Sequence, residues 1–223
     1  MKAVVASGVG RYGDPWHPFA ATSALVADVL RGAGFSVTVD HDVDHATAAL
    51  VGVDLLVVNA GDPWRDSATL GPPPDESLAG LAAALERGIG VLALHAAVSS
   101  LRDHPVWPAA VGATWLPGVS WHPPAGAFRV TPTVGGRRVL GDLGPFEVHD
   151  ERYLRLQWIG ASQVVAELPD DDGGRSPAAW VRRHGRARVA ADLLGHDERS
   201  YSTAGHQELV QRLAQWAVGA DVP

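Results

Sequence analysis

Four strand-like segments alternate with three amphipathic segments along the first hundred residues. The strand-like segments are residues 2–7, 35–40, 54–59 and 91–94. The amphipathic segments, which carry apolar residues at helical spacing, are 20–33, 45–51 and 75–88. The last two strand-like segments are continuously apolar, as is typical of strands buried on both faces of a parallel sheet. The order predicts a doubly wound, mostly parallel sheet with helices on both faces.

Short strand-like segments dominate the second half of the chain. They are residues 128–133, 146–148, 153–156, 163–168, 178–182 and 187–192. Residues 61–74 and 169–177, which are rich in glycine and proline, are expected to be loops, the second of them in a hairpin. A closing helix is predicted over 203–218. No linker divides the chain, so we expect residues 1–223 to form one α/β domain with a β-rich C-terminal extension.

Composition places the chain among ordinary globular proteins. Its 223 residues are 46% hydrophobic and 19% charged, which is enough for one substantial core. The 18 basic and 25 acidic residues give a formal charge of -7, which argues against a nucleic-acid partner, because phosphate backbones attract clustered positive charge. The chain contains no cysteine, so disulfides, thiolate nucleophiles and cysteine-ligated metals are excluded.

The N-terminus and the hydropathy of the chain predict a cytoplasmic location. The sequence starts with a strand-like segment rather than a secretory signal, and it has no run of about 18 apolar residues. We therefore expect no membrane partner. The sequence leaves open whether copies of the chain form a homo-oligomer.

His95 directly follows the apolar strand 91–94, and the small pair Ala96-Ala97 follows it. Ligands of open α/β sheets bind at the carboxyl ends of the strands, so this histidine lies where chemistry is expected. The structural alternative is a core histidine whose ring is satisfied by a backbone carbonyl.

Two further segments offer candidate ligand contacts. The loop after the first strand holds Arg11, Tyr12 and His17, at the expected ligand edge of the sheet. Trp121 and His122 precede two prolines, which hold the histidine backbone extended, and the tryptophan offers an apolar face to a sugar ring. The alternatives are an exposed surface loop and a structural turn with a packed tryptophan.

The last two candidate segments lie at 150–153 and 194–197. Adjacent strand residues face opposite sides, so we expect Glu151 to face inward, Asp150 to serve as a turn or cap group, and Tyr153 to contact ligand. His196 follows the strand 187–192 closely, as His95 follows its own strand. The structural alternatives are a solvated carboxylate and a loop with local capping.

Two chemistries suit His95, His122, Glu151 and His196. The four residues titrate in ranges that allow general acid–base catalysis. Alternatively, His95, His122 and His196 are candidate ligands of Zn²⁺ or another divalent metal. No zinc-binding spacing motif decides between them. The early glycines predict no dinucleotide site, because a proline-containing loop separates them from the next helix.

Six motifs, in this order and over nearly the whole chain, resemble the trehalose-utilization (ThuA-like) family. They are Leu94-His95-Ala96-Ala97, Trp121-His122-Pro123, Asp150-Glu151-x-Tyr153, Pro177-Ala178-Ala179-Trp180-Val181-Arg182, Leu194-Gly195-His196-Asp197 and Leu213-x-x-Trp216-Ala217. The N-terminal loop departs from the family pattern, because Arg11 and His17 are separated here.

The resemblance implies a flavodoxin-like, three-layer α/β/α sandwich similar to class I glutamine amidotransferases. In those enzymes a cysteine occupies the tight turn where His95 stands, so the resemblance implies no glutaminase activity. It also implies a small carbohydrate ligand and an enzyme that acts on a sugar or keto-sugar, as a hydrolase or an isomerase. The alternative is a non-catalytic ligand-binding or assembly module that kept the fold and lost the nucleophile.

Overall fold

A computed structural model describes residues 1–64 and 71–220. Its strands are β1 (Lys2–Ser7), β2 (Ser36–Asp40), β3 (Leu55–Asn59), β4 (Gly90–Leu94), β5 (Ala113–Thr114), β6 (Gly126–Pro132), β7 (Phe146–Asp150), β8 (Gln157–Trp158), β9 (Gln163–Pro169), β10 (Arg175–His184) and β11 (Ala187–Asp192). Its α-helices are α1 (Phe19–Gly32), α2 (Val43–Ala48), α3 (Asp75–Arg87), α4 (Trp107–Val111), α5 (Arg137–Leu140), α6 (Glu198–Tyr201) and α7 (Ala204–Ala217).

Nine of these strands form one sheet, in the order β2-β1-β3-β4-β11-β10-β9-β6-β7. The strands from β2 to β11 in this order are parallel, and the following strands join antiparallel. This arrangement confirms the predicted α/β fold with its C-terminal β-rich extension. The last strand of the chain, β11, is therefore the parallel neighbour of β4, and Asp192 pairs with Leu94 at the ends of the two strands.

Helices cover both faces of the sheet, which makes the three-layer sandwich that was predicted. On one face, α1 and α7 bury apolar side chains such as Leu30, Leu209 and Leu213. On the other face, α2, α3 and α4 bury a second set that includes Leu81 and Trp107. The spacing of Leu209 and Leu213 is one helical turn, which explains why α7 lies on the sheet along one stripe. No helix in the described ranges has the length and apolar character needed to cross a membrane.

Most predicted elements are present, and the differences have local causes. The strand expected over 153–156 is wrong: only an isolated bridge joins Leu154 to Trp121, because Arg155 takes a left-handed φ of 55° that breaks the extended chain. The hairpin loop is shorter than expected, because β10 already begins at Arg175. The loop predicted over 61–74 includes residues 65–70, which lie outside the described residues.

A buried ion pair links the end of β11 to α7. His206 Nε2 lies 3.0 Å from Asp192 Oδ2, and His206 Nδ1 lies 2.8 Å from Ser200 Oγ. Neither side chain of the His206–Asp192 pair is exposed. Burial lowers the pKa of His206, but the carboxylates of Asp192 and Asp150 outweigh burial and raise that pKa above its ordinary value.

This pair predicts a pH-dependent contribution to stability. Because the folded-state pKa of His206 is raised, its contribution is fully present below the ordinary histidine pKa of about 6.5 and is lost as the pH rises through the folded-state pKa. We expect the difference in unfolding free energy between the wild type and His206→Gln, measured by urea denaturation, to shrink from about pH 6 to about pH 9. The exposed His41→Gln control should change stability by less than about 0.5 kcal/mol. A difference that grows with pH would contradict the assignment.

Candidate functional site

His95 occupies a tight turn at the end of β4. Its φ is 43°, a conformation that non-glycine residues rarely adopt, and the chain then continues as a short 3₁₀ turn over His95–Val98. The ring Nδ1 lies 2.7 Å from the carbonyl oxygen of Leu193, in the segment that follows β11. Because a carbonyl only accepts, Nδ1 carries the proton, and Nε2 faces the interior of the site.

Glu151 lies between three imidazoles. Its carboxylate oxygens are 3.6 Å from His95 Nε2, 3.4 Å from His122 Nδ1 and 3.4 Å from His196 Nδ1. These separations exceed those of a well-formed hydrogen bond, so the groups are close without being directly paired. The structure thus brings together all four residues for which the sequence suggested catalysis.

Asp150 holds the neighbouring loop in place. Its buried carboxylate accepts hydrogen bonds from the backbone amides of Gly195, at 2.7 Å, and His196, at 3.1 Å, and from Ser200 Oγ. Gly195 has a φ of 121°, and a Cβ there would lie 2.3 Å from the Tyr201 hydroxyl, so only glycine fits. Asp150 therefore fixes the backbone that carries His196, while Glu151 reaches the imidazoles.

His17 also belongs to this cluster, although the sequence suggested it only as a ligand contact. Its ring centroid lies 5.1 Å from that of His95 and 5.0 Å from that of His196. Asp14 Oδ2 lies 2.7 Å from His17 Nδ1, and the His17 Nε2 atom lies 3.4 Å from the Tyr153 hydroxyl. Sequence reasoning missed Asp14, whose only signal was its place three residues before His17 in a proline-rich loop.

Four of these residues are arranged like a metal-binding group. His17, His95, Glu151 and His196 each offer one ligand atom, and these atoms lie within 4.8 Å of one another. Two of the ring nitrogens, His95 Nε2 and His196 Nδ1, are buried and lack a hydrogen-bond partner among the described residues. The residues therefore fit a cation, because a bound ion would satisfy nitrogens that are costly to bury unpaired.

His122 stands apart from this group of four, although the sequence placed it among the metal ligands. Its Nδ1 lies 3.1 Å from the Pro123 carbonyl oxygen, which accepts a hydrogen bond from it. The His122 side chain is 37% exposed. The prolines that follow it hold the imidazole at the rim of the site. His17 takes the position in the cluster that was expected of His122.

A cleft of about 350 Å³ lies above the cluster. Polar groups of Asp14, His17, His122 and Tyr153 line it, together with indole rings of Trp16, Trp64 and Trp115. Trp16 and Trp64 are 62% and 50% exposed, so a large part of each indole side chain is accessible to solvent. This size is sufficient for a monosaccharide-sized ligand, and the mixture of polar groups and aromatic faces is typical of small-molecule sites.

The remaining ligand candidates lie outside this cleft. Tyr12 is buried, and its hydroxyl lies 3.1 Å from Asp44 Oδ1, so it belongs to the core rather than to the cleft wall. Arg11 is paired with Asp103, and neither residue lines the cleft. Trp121 lies at the surface, where the guanidinium of Arg155 packs 5.7 Å from its ring centroid.

The environment moves the pKa values of neighbouring groups in opposite directions. Burial lowers the pKa of His95, but Glu151, Asp150 and the Leu193 carbonyl outweigh burial and raise it. Burial is the main cause that lowers the pKa of His196; Glu151 opposes it, and the imidazoles of His95 and His17 lower that pKa further. Burial raises the pKa of Glu151, but His95, His196 and His122 outweigh burial and hold it below its ordinary value.

Comparison with known proteins places this architecture in a family. Residues 3–217 match the family model of ThuA, described as trehalose utilisation. No curated protein matches the sequence. A ThuA-like protein from Parabacteroides merdae ATCC 43184 has a similar structure, with a TM-score of 0.80 and 18% identity over 100% of this chain and 92% of that chain.

Two further structures share the fold. A ThuA-like protein from Bacteroides uniformis ATCC 8492 has a TM-score of 0.73 at 16% identity, over 99% of this chain and 92% of that chain. A cytoplasmic protein from Salmonella typhimurium LT2 has a TM-score of 0.63 at 12% identity, over 97% and 99% of the two chains. These TM-scores and coverages show a common fold, and the family match covers nearly the whole chain. The chain belongs to the ThuA family, which is linked to trehalose utilisation.

Proposed function

We propose that this protein is an enzyme that acts on a sugar or keto-sugar, as a hydrolase or an isomerase. The observation that carries the proposal is the position of three imidazoles around the single carboxylate of Glu151, beneath an open cleft with aromatic walls. The link of the family to trehalose utilisation supports a carbohydrate as the ligand. Indole faces and polar groups complement the two kinds of surface that a sugar ring presents.

The opposite pKa shifts of His95 and His196 support acid–base chemistry. A raised pKa keeps the His95 imidazole protonated to higher pH, and a lowered pKa keeps the His196 imidazole neutral to lower pH. Paired groups whose environments separate their pKa values are the usual source of an acid and a base in one site. The Glu151 carboxylate lies close to both rings, so protonation of one imidazole can influence the protonation of the other through this carboxylate.

The residues form two layers with different roles in this proposal. His17, His122 and Tyr153 line the cleft and contact the sugar. His95 is 1% exposed and lies behind them, where Glu151 connects it to His122. Protons therefore reach the substrate through the wall residues, and the buried layer sets the protonation state of the wall.

A divalent metal ion, such as Zn²⁺, is the second candidate component of the site. His17, His95, His196 and Glu151 would hold it, and a bound ion would activate water or polarise a carbonyl oxygen. The outer contacts support this set: the Leu193 carbonyl orients His95, and the Asp14 carboxylate orients His17. Such partners are usual for metal-binding histidines, because they fix the tautomer and the ring orientation.

The catalytic role of Glu151 predicts a large loss of activity in Glu151→Gln. The substitution keeps the shape of the side chain but removes the charge that the imidazoles share, so we expect kcat to fall about 10²- to 10⁴-fold. The assay is turnover of a panel of disaccharides, keto-sugars and monosaccharides, with and without divalent metal. Glu147→Gln is the control, because Glu147 lies on β7, which ends just before Glu151, and its side chain is 66% exposed; this variant should retain activity.

The alternative of a non-catalytic module makes the opposite prediction. A module would turn over no sugar of the panel, and its Glu151→Gln variant would bind ligand as the wild type does. Equal activity of Glu151→Gln and Glu147→Gln would show that Glu151 takes no part in catalysis.

The geometry of the four-residue group predicts which substitutions release a metal. Protein purified without added metal or chelator should contain about one equivalent of a divalent ion by elemental analysis. His17→Asn and His196→Asn should lose that ion, because each removes a ligand atom of the group. His122→Asn should retain it. Absence of metal in the wild type, with full activity after chelator treatment, would leave acid–base catalysis without a metal.

A further inference from the structure

A chain of buried polar groups runs from α7 to the loop that carries His196. It starts at Asp192, passes through His206 and Ser200, and ends at Asp150, which accepts a hydrogen bond from the backbone amide of His196. The four linked residues are at most 2% exposed. The buried ion pair at α7 is therefore connected to the candidate site through an unbroken series of hydrogen bonds.

The Asp150 carboxylate fixes the direction of this series. Its Oδ1 accepts from the amides of Glu151, at 2.8 Å, and His196, at 3.1 Å, and its Oδ2 accepts from the amide of Gly195 at 2.7 Å. Ser200 Oγ is the fourth neighbour and also contacts Oδ2. A carboxylate has about four lone-pair positions, and four neighbouring groups occupy them here. Asp150 therefore carries no proton, and the Ser200 hydroxyl must donate to it.

The direction of the serine hydroxyl decides the charge of His206. A hydroxyl has one proton, and Ser200 gives it to Asp150, so Ser200 Oγ must accept from His206 Nδ1, 2.8 Å away. The other ring nitrogen, Nε2, lies 3.0 Å from Asp192 Oδ2. A carboxylic acid is a much stronger acid than an imidazolium, so the proton between these two atoms belongs to the ring. With a proton on each nitrogen, His206 is a buried imidazolium cation.

The surroundings of His206 suit a cation. The Tyr201 ring stacks on the imidazole at a centroid distance of 4.7 Å and an interplanar angle of 24°, and an aromatic face attracts positive charge. Two carboxylates face the imidazole, Asp192 from β11 and Asp150 from β7. The ring thus lies between two buried negative charges, whose mutual repulsion it offsets.

Each of the two carboxylates holds part of the segment 193–196. Asp150 accepts from two of its amides, and Asp192 Oδ1 accepts from the amide of Leu194 at 3.0 Å. The carbonyl of residue 193 accepts the hydrogen bond from His95 Nδ1. The segment therefore carries one imidazole of the cluster and orients another, and the two carboxylates fix its backbone.

We infer that His206 is a positioning residue of the candidate site. As a buried cation it holds Asp150 and Asp192 in place, and these carboxylates hold the segment that carries His196 and orients His95. His206 does not line the cleft, so it acts on the site only through these contacts. The inference concerns the geometry of the site and stands whether or not the protein acts on a sugar.

Nuclear magnetic resonance of the wild-type protein tests the charge. With isotopically labelled histidine, the close ring protons of Tyr201 identify the signals of the His206 ring. We expect two slowly exchanging N–H protons on this ring at about pH 7, where an ordinary histidine is mostly neutral. A single N–H proton on the ring would refute the cation.

Amide hydrogen exchange tests the positioning. In His206→Gln the new side chain is neutral and donates from one side only, so it cannot donate to both Asp192 and Ser200. Ser200→Ala interrupts the series one step further on and keeps the His206–Asp192 pair. In both variants we expect the amides of Gly195 and His196 to exchange at least about tenfold faster than in the wild type, relative to the amides of β4.

His104→Gln is the matched control. His104 is equally buried, and its ring nitrogens lie 2.7 Å from Ser77 Oγ and 3.1 Å from Asp103 Oδ1. Its serine partner belongs to α3, on the other face of the sheet from α7. This variant loses a similar set of buried contacts, so it should speed exchange at 195–196 no more than in β4.

The pattern of exchange separates positioning from stability. If His206→Gln and Ser200→Ala speed exchange in β4 as much as at 195–196, His206 contributes to global stability only and the positioning role is wrong. Unchanged exchange at 195–196 in both variants would also refute it. If His206→Gln does not fold, Ser200→Ala makes the same comparison.

Discussion

β11 lies beside β4 in the centre of the sheet, so the two strands end side by side at Asp192 and Leu94. This parallel pairing joins the last strand of the chain to one formed about a hundred residues earlier. It brings the turn at His95 next to the segment that carries Leu193 and His196. The hydrogen bond from His95 Nδ1 to the Leu193 carbonyl oxygen joins the turn to that segment. The close approach of His95 and His196 to Glu151 depends on this alignment.

Burial of several carboxylates near one another is the electrostatic problem that this junction creates, because an unpaired buried charge is costly. Each carboxylate is stabilised by different neighbours. Asp192 is paired with His206, and Glu151 is surrounded by imidazoles. Asp150 accepts hydrogen bonds from two backbone amides and a serine hydroxyl. Two imidazole nitrogens beside Glu151, His95 Nε2 and His196 Nδ1, are buried and have no hydrogen-bond partner among the described residues, so this part of the site can bind a further partner.

The sequence predicts local features of the site better than its long-range ones. The end of the apolar strand at His95 and the choice of Glu151 over Asp150 as the inward carboxylate follow from strand periodicity, which acts over a few residues. The Asp14–His17 contact lies within an irregular loop, where no periodicity applies. The layering is also invisible in the sequence: His95 and His122 are both histidines at loop boundaries, yet one is buried and the other forms the cleft wall.

The turn at His95 shows how the same backbone geometry supports different chemistry. A residue at positive φ directly after a central strand projects its side chain from a sharp corner, as a nucleophile elbow does. A nucleophile there must be reachable by substrate. The His95 ring is instead tied through Nδ1 to Leu193 and is almost completely buried, so its free nitrogen meets Glu151 rather than the cleft. Within the proposed function, depth and orientation, rather than the turn itself, therefore favour a role for His95 in setting the protonation of its neighbours or in ion binding.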